Sequence, residues 1–221
     1  MESFEKLMEN TRLIAILRGI PSDDLCQVLD ILYENGIKLA EITFDNSGLY
    51  PAEKTAADIK RAVAHMSGKA RIGAGTVTTV RELMLASGAG AEFIISPNTD
   101  PLIIGQTKQF GMISIPGALT PSEVVAAEQA GADYVKLFPV SSLGPEYVKS
   151  ILAPLNGVKL LAVGGVSRED TGKYLAAGCV GFGVGGGIVN RKLCEEKKWD
   201  EIAMNTKLWA DAAGTEKNKR D

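Results

Sequence analysis

The stretch Gly131-Ala132-Asp133-Tyr134-Val135-Lys136-Leu137-Phe138-Pro139 joins a glycine, an apolar strand-like run and a proline, and sets one lysine in the middle of the run. A charged side chain costs several kcal/mol to desolvate, so an amine there is paired, escapes to solvent, or acts as an amine. The plainer alternatives are a lysine that caps the strand end and snorkels to water, and a buried structural ion pair. Lysine is also the side chain that forms Schiff bases with carbonyl compounds.

Working outward, Gly131 stands where the residue after a helix C-cap belongs, and Gly36, Gly111 and Gly178 hold the same place before other apolar runs. From Leu13 onward the chain repeats one unit: short apolar strand, polar turn, amphipathic helix, glycine. Such alternation predicts βα units with a parallel sheet. Strands are expected over Leu13–Arg18, Lys38–Phe44, Arg71–Gly75, Glu92–Ser96, Met112–Ile115, Asp133–Phe138, Lys159–Val163 and Cys179–Val184. That is the strand count of a (β/α)8 TIM barrel, and an open doubly wound sheet is the alternative. Ser22 and Thr120 are N-cap candidates, and Pro121 suits a first helical turn. A short N-terminal helix and an added helix over Trp199–Ala213, followed by a charged, frayed tail, complete an expected single domain spanning residues 1–221.

Composition narrows the partners. Among 221 residues, 24 basic and 27 acidic side chains give a net charge of -3, which argues against nucleic acid and against a membrane surface. A small soluble ligand is the expectation. The start, Met1 to Lys6, has no basic segment followed by an apolar one, and no apolar run reaches membrane-spanning length, so a cytoplasmic location is expected. Cys26, Cys179 and Cys194 are scattered without C-x-x-C spacing and suit reduced core thiols. The one histidine, His65, falls at the end of an amphipathic stretch (Ala52–Met66), which weighs against a Ser-His-Asp or Cys-His nucleophile and against a multi-histidine metal site.

Strand alternation converts the topology into a site. In Lys38–Phe44, the residues Ala40, Ile42 and Phe44 share the face that meets the helices, leaving Glu41 and Thr43 on the other face. The same rule turns Lys136 inward with Tyr134 and Phe138, so an acid and an amine share one enclosed space. Active sites of this fold lie at strand C-terminal ends. Arg18 closes the first strand at such an end, where a guanidinium can fork onto a carboxylate or phosphate or simply be solvated. Gly164-Gly165 and Gly185-Gly186-Gly187 follow the last two strands, where backbone N–H groups commonly close around phosphate oxygens, although tight turns alone can require glycines there. Gly181, Gly183 and Gly186 fit G-x-G-x-x-G without the βαβ unit and ribose-binding acid of a dinucleotide site.

Six ordered motifs, A-E-I-T-F (Ala40–Phe44), I-G-A-G-T-V (Ile72–Val77), I-S-P-N (Ile95–Asn98), I-P-G (Ile115–Gly117), V-K-L-F-P (Val135–Pro139) and V-G-G-V (Val163–Val166), resemble the class I aldolases that cleave 2-keto-3-deoxy-6-phosphogluconate and 4-hydroxy-2-oxoglutarate. The resemblance runs from about Leu13 to Val189 and implies a (β/α)8 barrel, a homotrimer, no metal and no organic cofactor. By that resemblance Lys136 is the Schiff-base lysine and Glu41 the general acid/base. Thr76, Pro97, Pro116 and Phe138 match residues of the pyruvate pocket, and Gly164, Gly165, Gly186 and Gly187 match the phosphate loop. The implied substrate is a small, phosphorylated 2-keto acid, cleaved to pyruvate and an aldehyde, glyceraldehyde 3-phosphate or glyoxylate.

The chain departs from the family pattern at three places. Asp45 stands where some members carry an arginine for the substrate carboxylate, leaving Arg18 for that role. Val163 replaces the threonine of gluconate-type enzymes, as in the branch specific for 2-keto-3-deoxy-6-phosphogalactonate. Gly187 stands where a serine is usual, so one hydroxyl donor is gone. Two rival readings from other classes are a non-covalent phosphosugar isomerase or epimerase, which would use Glu41 without an imine, and a barrel that binds a phosphorylated ligand without turnover.

Overall fold

The structure, a computed structural model, describes residues 2–48 and 50–214. Its parallel sheet has nine segments: β1 (Leu13–Leu17), β2 (Leu39–Thr43), β3 (Arg71–Gly75), β4 (Phe93–Ile95), β5 (Ile113–Ile115), β6 (Gly117–Ala118), β7 (Val135–Leu137), β8 (Leu160–Val163) and β9 (Gly181–Val184). Their spatial order is β5-β4-β3-β2-β1-β9-β8-β7-β6, so the first and last strands in sequence are neighbours. This is the expected (β/α)8 barrel, with one correction to its strand count. Pro116 has no N–H to give to a ladder and splits the fifth strand into β5 and β6. Hydrogen bonds bridge the split: Ser114 O accepts from Asp133 N at 3.0 Å and Pro116 O accepts from Lys136 N at 2.8 Å, so the wall continues past the break.

The helices of the described residues are α1 (Phe4–Thr11), α2 (Leu25–Glu34), α3 (Ala52–His65), α4 (Val80–Gly88), α5 (Pro101–Gln109), α6 (Pro121–Gln129), α7 (Gly144–Leu152), α8 (Thr171–Ala176), α9 (Arg191–Glu195) and α10 (Trp199–Ala212). Thr120 caps α6 with a complete capping box to Glu123. Ser22 does not cap a helix: it opens a short 3-10 turn and its hydroxyl donates to Asp58 at 2.7 Å, while α2 starts at Leu25. Gly36, Gly111, Gly131 and Gly178 all adopt positive φ just past helix ends. No helix of the described residues is long and apolar enough to cross a membrane. The charged tail expected after Ala213 lies, apart from Gly214, outside the described residues.

Two apolar clusters follow from the strand period of two. Ala40, Ile42 and Phe44 with Val135 and Leu137 lie in the outer cluster between sheet and helices. Leu39, Phe93, Tyr134, Leu161 and Val163 lie in the inner one, within the barrel. Phe4, Leu7 and Met8 of α1 join the inner cluster, with the Phe4 ring 5.1 Å from Phe93 and 5.6 Å from Tyr134. The helix thus plugs the end of the barrel where the strands begin. Gly181 makes this plug fit, since a Cβ there would come within 2.6 Å of Met8.

Candidate active site

Glu41 lies at the middle of β2 and pairs in register with Ile16 on one side and Gly73 on the other; Lys136, at the middle of β7, pairs with Leu161 and Gly117. Alternation sends both side chains to the barrel interior, where Glu41 is 1% and Lys136 6% exposed. They meet at a small cavity of about 10 Å³ walled by Ile14, Ile16, Ile95, Ile115, Leu161 and Val163. Gly75 makes room for the acid, because a Cβ there would stand 2.2 Å from Glu41 Oε2.

These surroundings set the protonation of both groups. Burial pushes the Glu41 carboxyl up to about 7, against the pull of the Lys136 and Arg18 charges, and its Oε2 has no hydrogen-bond partner among the described residues. Burial holds the Lys136 ammonium below the ordinary lysine range; Glu41 opposes that shift and Arg18 adds to it. The ammonium nitrogen stands 4.6 Å from the Phe138 ring centroid. An acid that keeps its proton near neutrality beside an amine that gives one up readily suits proton transfer and nucleophilic attack on a carbonyl.

Toward the C-terminal ends of the strands, Lys136 reaches a second, larger cavity of about 620 Å³. Of the residues singled out from the sequence, Arg18, Thr76, Pro97, Phe138, Val163, Gly164, Gly165, Gly186 and Gly187 line it with Lys136. Glu41 lines the inner cavity instead, with Lys136 common to both. Pro116 lines neither cavity; it sits in the barrel wall, where its carbonyl accepts the Lys136 N–H. Arg18 donates to Thr76 Oγ1 at 3.1 Å, and Thr76 adopts φ +58, a conformation unusual for a β-branched residue. Asp45 lines a neighbouring cavity of about 470 Å³ on the other side of Arg18, where its carboxylate accepts the backbone N–H groups of Ser47 and Tyr50.

The glycines differ in why they are glycine. Gly164 and Gly165 take φ of +89 and +77, and a Cβ would strike Phe138 and Ser141 at 2.9 and 2.5 Å. Gly186 has open space where its Cβ would be, whereas a Cβ on Gly187 would meet the Trp209 indole. Trp209 of α10 also lines the cavity, and nothing in the sequence pattern marked it, because an isolated tryptophan in a terminal helix reads as packing. Among the described residues no group of three His, Cys, Asp or Glu side chains gathers around a common point for a cation.

With this geometry in hand, comparison with known proteins is specific. The family described as KDPG and KHG aldolase matches residues 4–205, a span that stops short of Trp209. A "probable 2-dehydro-3-deoxy-6-phosphogalactonate aldolase" of Rhizobium meliloti (strain 1021) is 37% identical over 80% of this chain and 81% of its own length. A "2-dehydro-3-deoxy-phosphogluconate aldolase" of Haemophilus influenzae is 30% identical over 90% of each chain. The solved structure titled "Native KDPGal structure" superposes with a TM-score of 0.82 at 31% identity, covering 90% of this chain and 93% of that one. A family match across nearly the whole barrel, carried by relatives aligned over most of their length, makes this chain a member of the KDPG and KHG aldolase family and therefore an aldolase, a carbon–carbon lyase.

Proposed function

We propose that the chain cleaves 2-keto-3-deoxy-6-phosphogalactonate to pyruvate and glyceraldehyde 3-phosphate through an imine on Lys136. The observation that carries the reading is a buried amine of lowered pKa at the junction of the inner and outer cavities, facing an acid of raised pKa. The neutral Lys136 amine attacks the C2 keto carbon; the protonated Glu41 carboxyl gives its proton to the carbinolamine hydroxyl, which leaves as water, and the resulting iminium draws electrons from the C3–C4 bond. Glu41 as carboxylate takes the C4 hydroxyl proton while that bond breaks, releasing the aldehyde. It then returns the proton to C3 of the enamine, and hydrolysis frees pyruvate and the amine. Arg18 and Thr76 suit the substrate carboxylate and the paired glycine loops its phosphate.

Family membership sets aside the isomerase and the inert binder in favour of an aldolase. Within the family, the galactonate epimer is supported by Val163, which lines both cavities with Lys136 and is apolar where gluconate-type enzymes have a hydroxyl, and by the higher identity of the galactonate-type relative. The gluconate epimer is the second reading, supported by the Haemophilus relative. A homotrimer, implied by the family resemblance, belongs to the same proposal.

The test is intact mass after incubation with pyruvate and borohydride, beside a Lys136→Ala variant. One pyruvyl adduct on the native chain and none on the variant is expected; an adduct on both, or on neither, refutes the imine at Lys136. Comparing kcat/KM for the two C4 epimers then decides the substrate, with preference for the gluconate form ruling out the galactonate assignment.

A further inference from the structure

We propose that Trp209 is a positioning residue for the phosphate end of the substrate, and that it and a side chain at position 187 crowd one another. The inference rests on the reading of the glycine loops as the phosphate site. The indole N–H donates to Gly187 O at 3.0 Å, tying the turn after β9 to α10. Trp209 is 4% exposed and lines the outer cavity with Gly164, Gly165, Gly186 and Gly187. A Cβ on Gly187 would come 3.0, 3.2 and 3.3 Å from three indole atoms. Gly187 is not held in a left-handed conformation, so the obstacle to a side chain there is the indole, which would have to give by a few tenths of an ångström, and not the residue's own backbone.

The physical consequence concerns how the turn is held. Backbone N–H groups bind a phosphate well only when the turn is fixed before the ligand arrives. A serine at position 187 would supply a hydroxyl; this chain has none there, and an indole hydrogen bond to the carbonyl of the same residue holds the turn instead. The partner of the phosphate loop is thus the C-terminal helix, through one buried donor. Gly186, with open space beyond its Cα, is left free to present its backbone to the cavity.

The experiment uses Trp209→Phe, Gly187→Ser and the double variant. Each is assayed with 2-keto-3-deoxy-6-phosphogalactonate and with its unphosphorylated counterpart, and each is first checked for the pyruvate–borohydride adduct. Loss of one hydrogen bond predicts that Trp209→Phe raises KM for the phosphorylated substrate roughly three- to tenfold more than for the unphosphorylated one, with kcat changed less. Gly187→Ser alone, pressed against the indole, weakens the phosphorylated substrate similarly. The double variant, with the smaller ring, recovers part of that loss, so the two substitutions are not additive. Equal KM changes for both substrates, or additive losses in the double variant, overturn the proposal while leaving the lysine chemistry untouched. A native enzyme indifferent to the phosphate overturns it together with the phosphate-loop reading, and the pyruvate adduct separates that result from failure of Lys136.

Discussion

A methyl group on residue 75 would occupy the space of the Glu41 carboxylate, 2.2 Å from Oε2 and 2.5 Å from its carbon. The last residue of β3 is therefore part of the acid's placement even though it has no side chain. Gly75→Ala is expected to leave the barrel folded and Lys136 able to take up pyruvate, while displacing the carboxyl from the reacting atoms. A displacement of that kind costs about a hundredfold in turnover. Steady-state kcat beside pyruvate trapping checks this; if kcat and adduct yield fall together, Gly75 serves Lys136 or the fold as a whole. At this scale the sequence was readable where charge interrupts an apolar run. Glu41 and Lys136 stand out in their strands, and alternation alone assigns both to one enclosed face, where the structure has them. Gly75 and Trp209 were unreadable, and Gly187 was read for the phosphate loop but not for the indole packed against it, for a common reason: each answers a contact between strands or between a turn and a helix that no local pattern encodes.

Among the elements, α6 shows how little is needed to start a helix correctly. Thr120 accepts from the Glu123 N–H at 3.3 Å while the Glu123 carboxylate accepts from Leu119 N and Thr120 N at 2.9 and 2.8 Å. Those backbone bonds, the largest influence, together with one from the Thr120 hydroxyl, hold the Glu123 carboxyl below the usual range. Thr120→Ala removes one side of the box and is expected to lower stability by about 1 kcal/mol, or about 2–4 °C in Tm for a chain of this size, with kcat unaltered. A thermal melt with no shift would show that water replaces the cap at no cost. Thr120 and Pro121 announce this helix in sequence because capping is local chemistry. Ser22 offers the same hydroxyl without the same outcome, since Asp58 of α3, distant in sequence, accepts its hydrogen bond. The fifth strand was half legible. Proline at position 116 plainly ends β5, but β6 has only Gly117 and Ala118 and owes its place to bonds from β7. Gly117 in turn is confined by Pro97, whose carbonyl oxygen would lie 2.3 Å from a Cβ.

For the whole molecule, a barrel plugged by α1 at one end and open at the other confines an ionisable pair in its middle, and that confinement links folding to pH. The Glu41 carboxyl in the folded chain holds its proton up to about 7, whereas in the unfolded chain it releases it near 4.5. Between those values the folded state binds the extra proton, so this group makes the protein less stable as pH rises through the window, and the loss levels off above it. The full effect is about 3 kcal/mol. Lys136 shifts the opposite way: its folded pKa lies below the ordinary 10.5, so the unfolded chain binds more protons, and its contribution makes stability rise as pH approaches that value. The two groups therefore act with opposite slopes. Replacing the acid with its neutral amide removes the first slope. Glu41→Gln is expected to match the native chain in unfolding free energy near pH 4 and to exceed it by about 3 kcal/mol near pH 8, as read from denaturant titrations. A difference that stays constant across that range would mean that Glu41 ionises in the barrel as it does in water, and the acid would then enter the reaction already as a carboxylate.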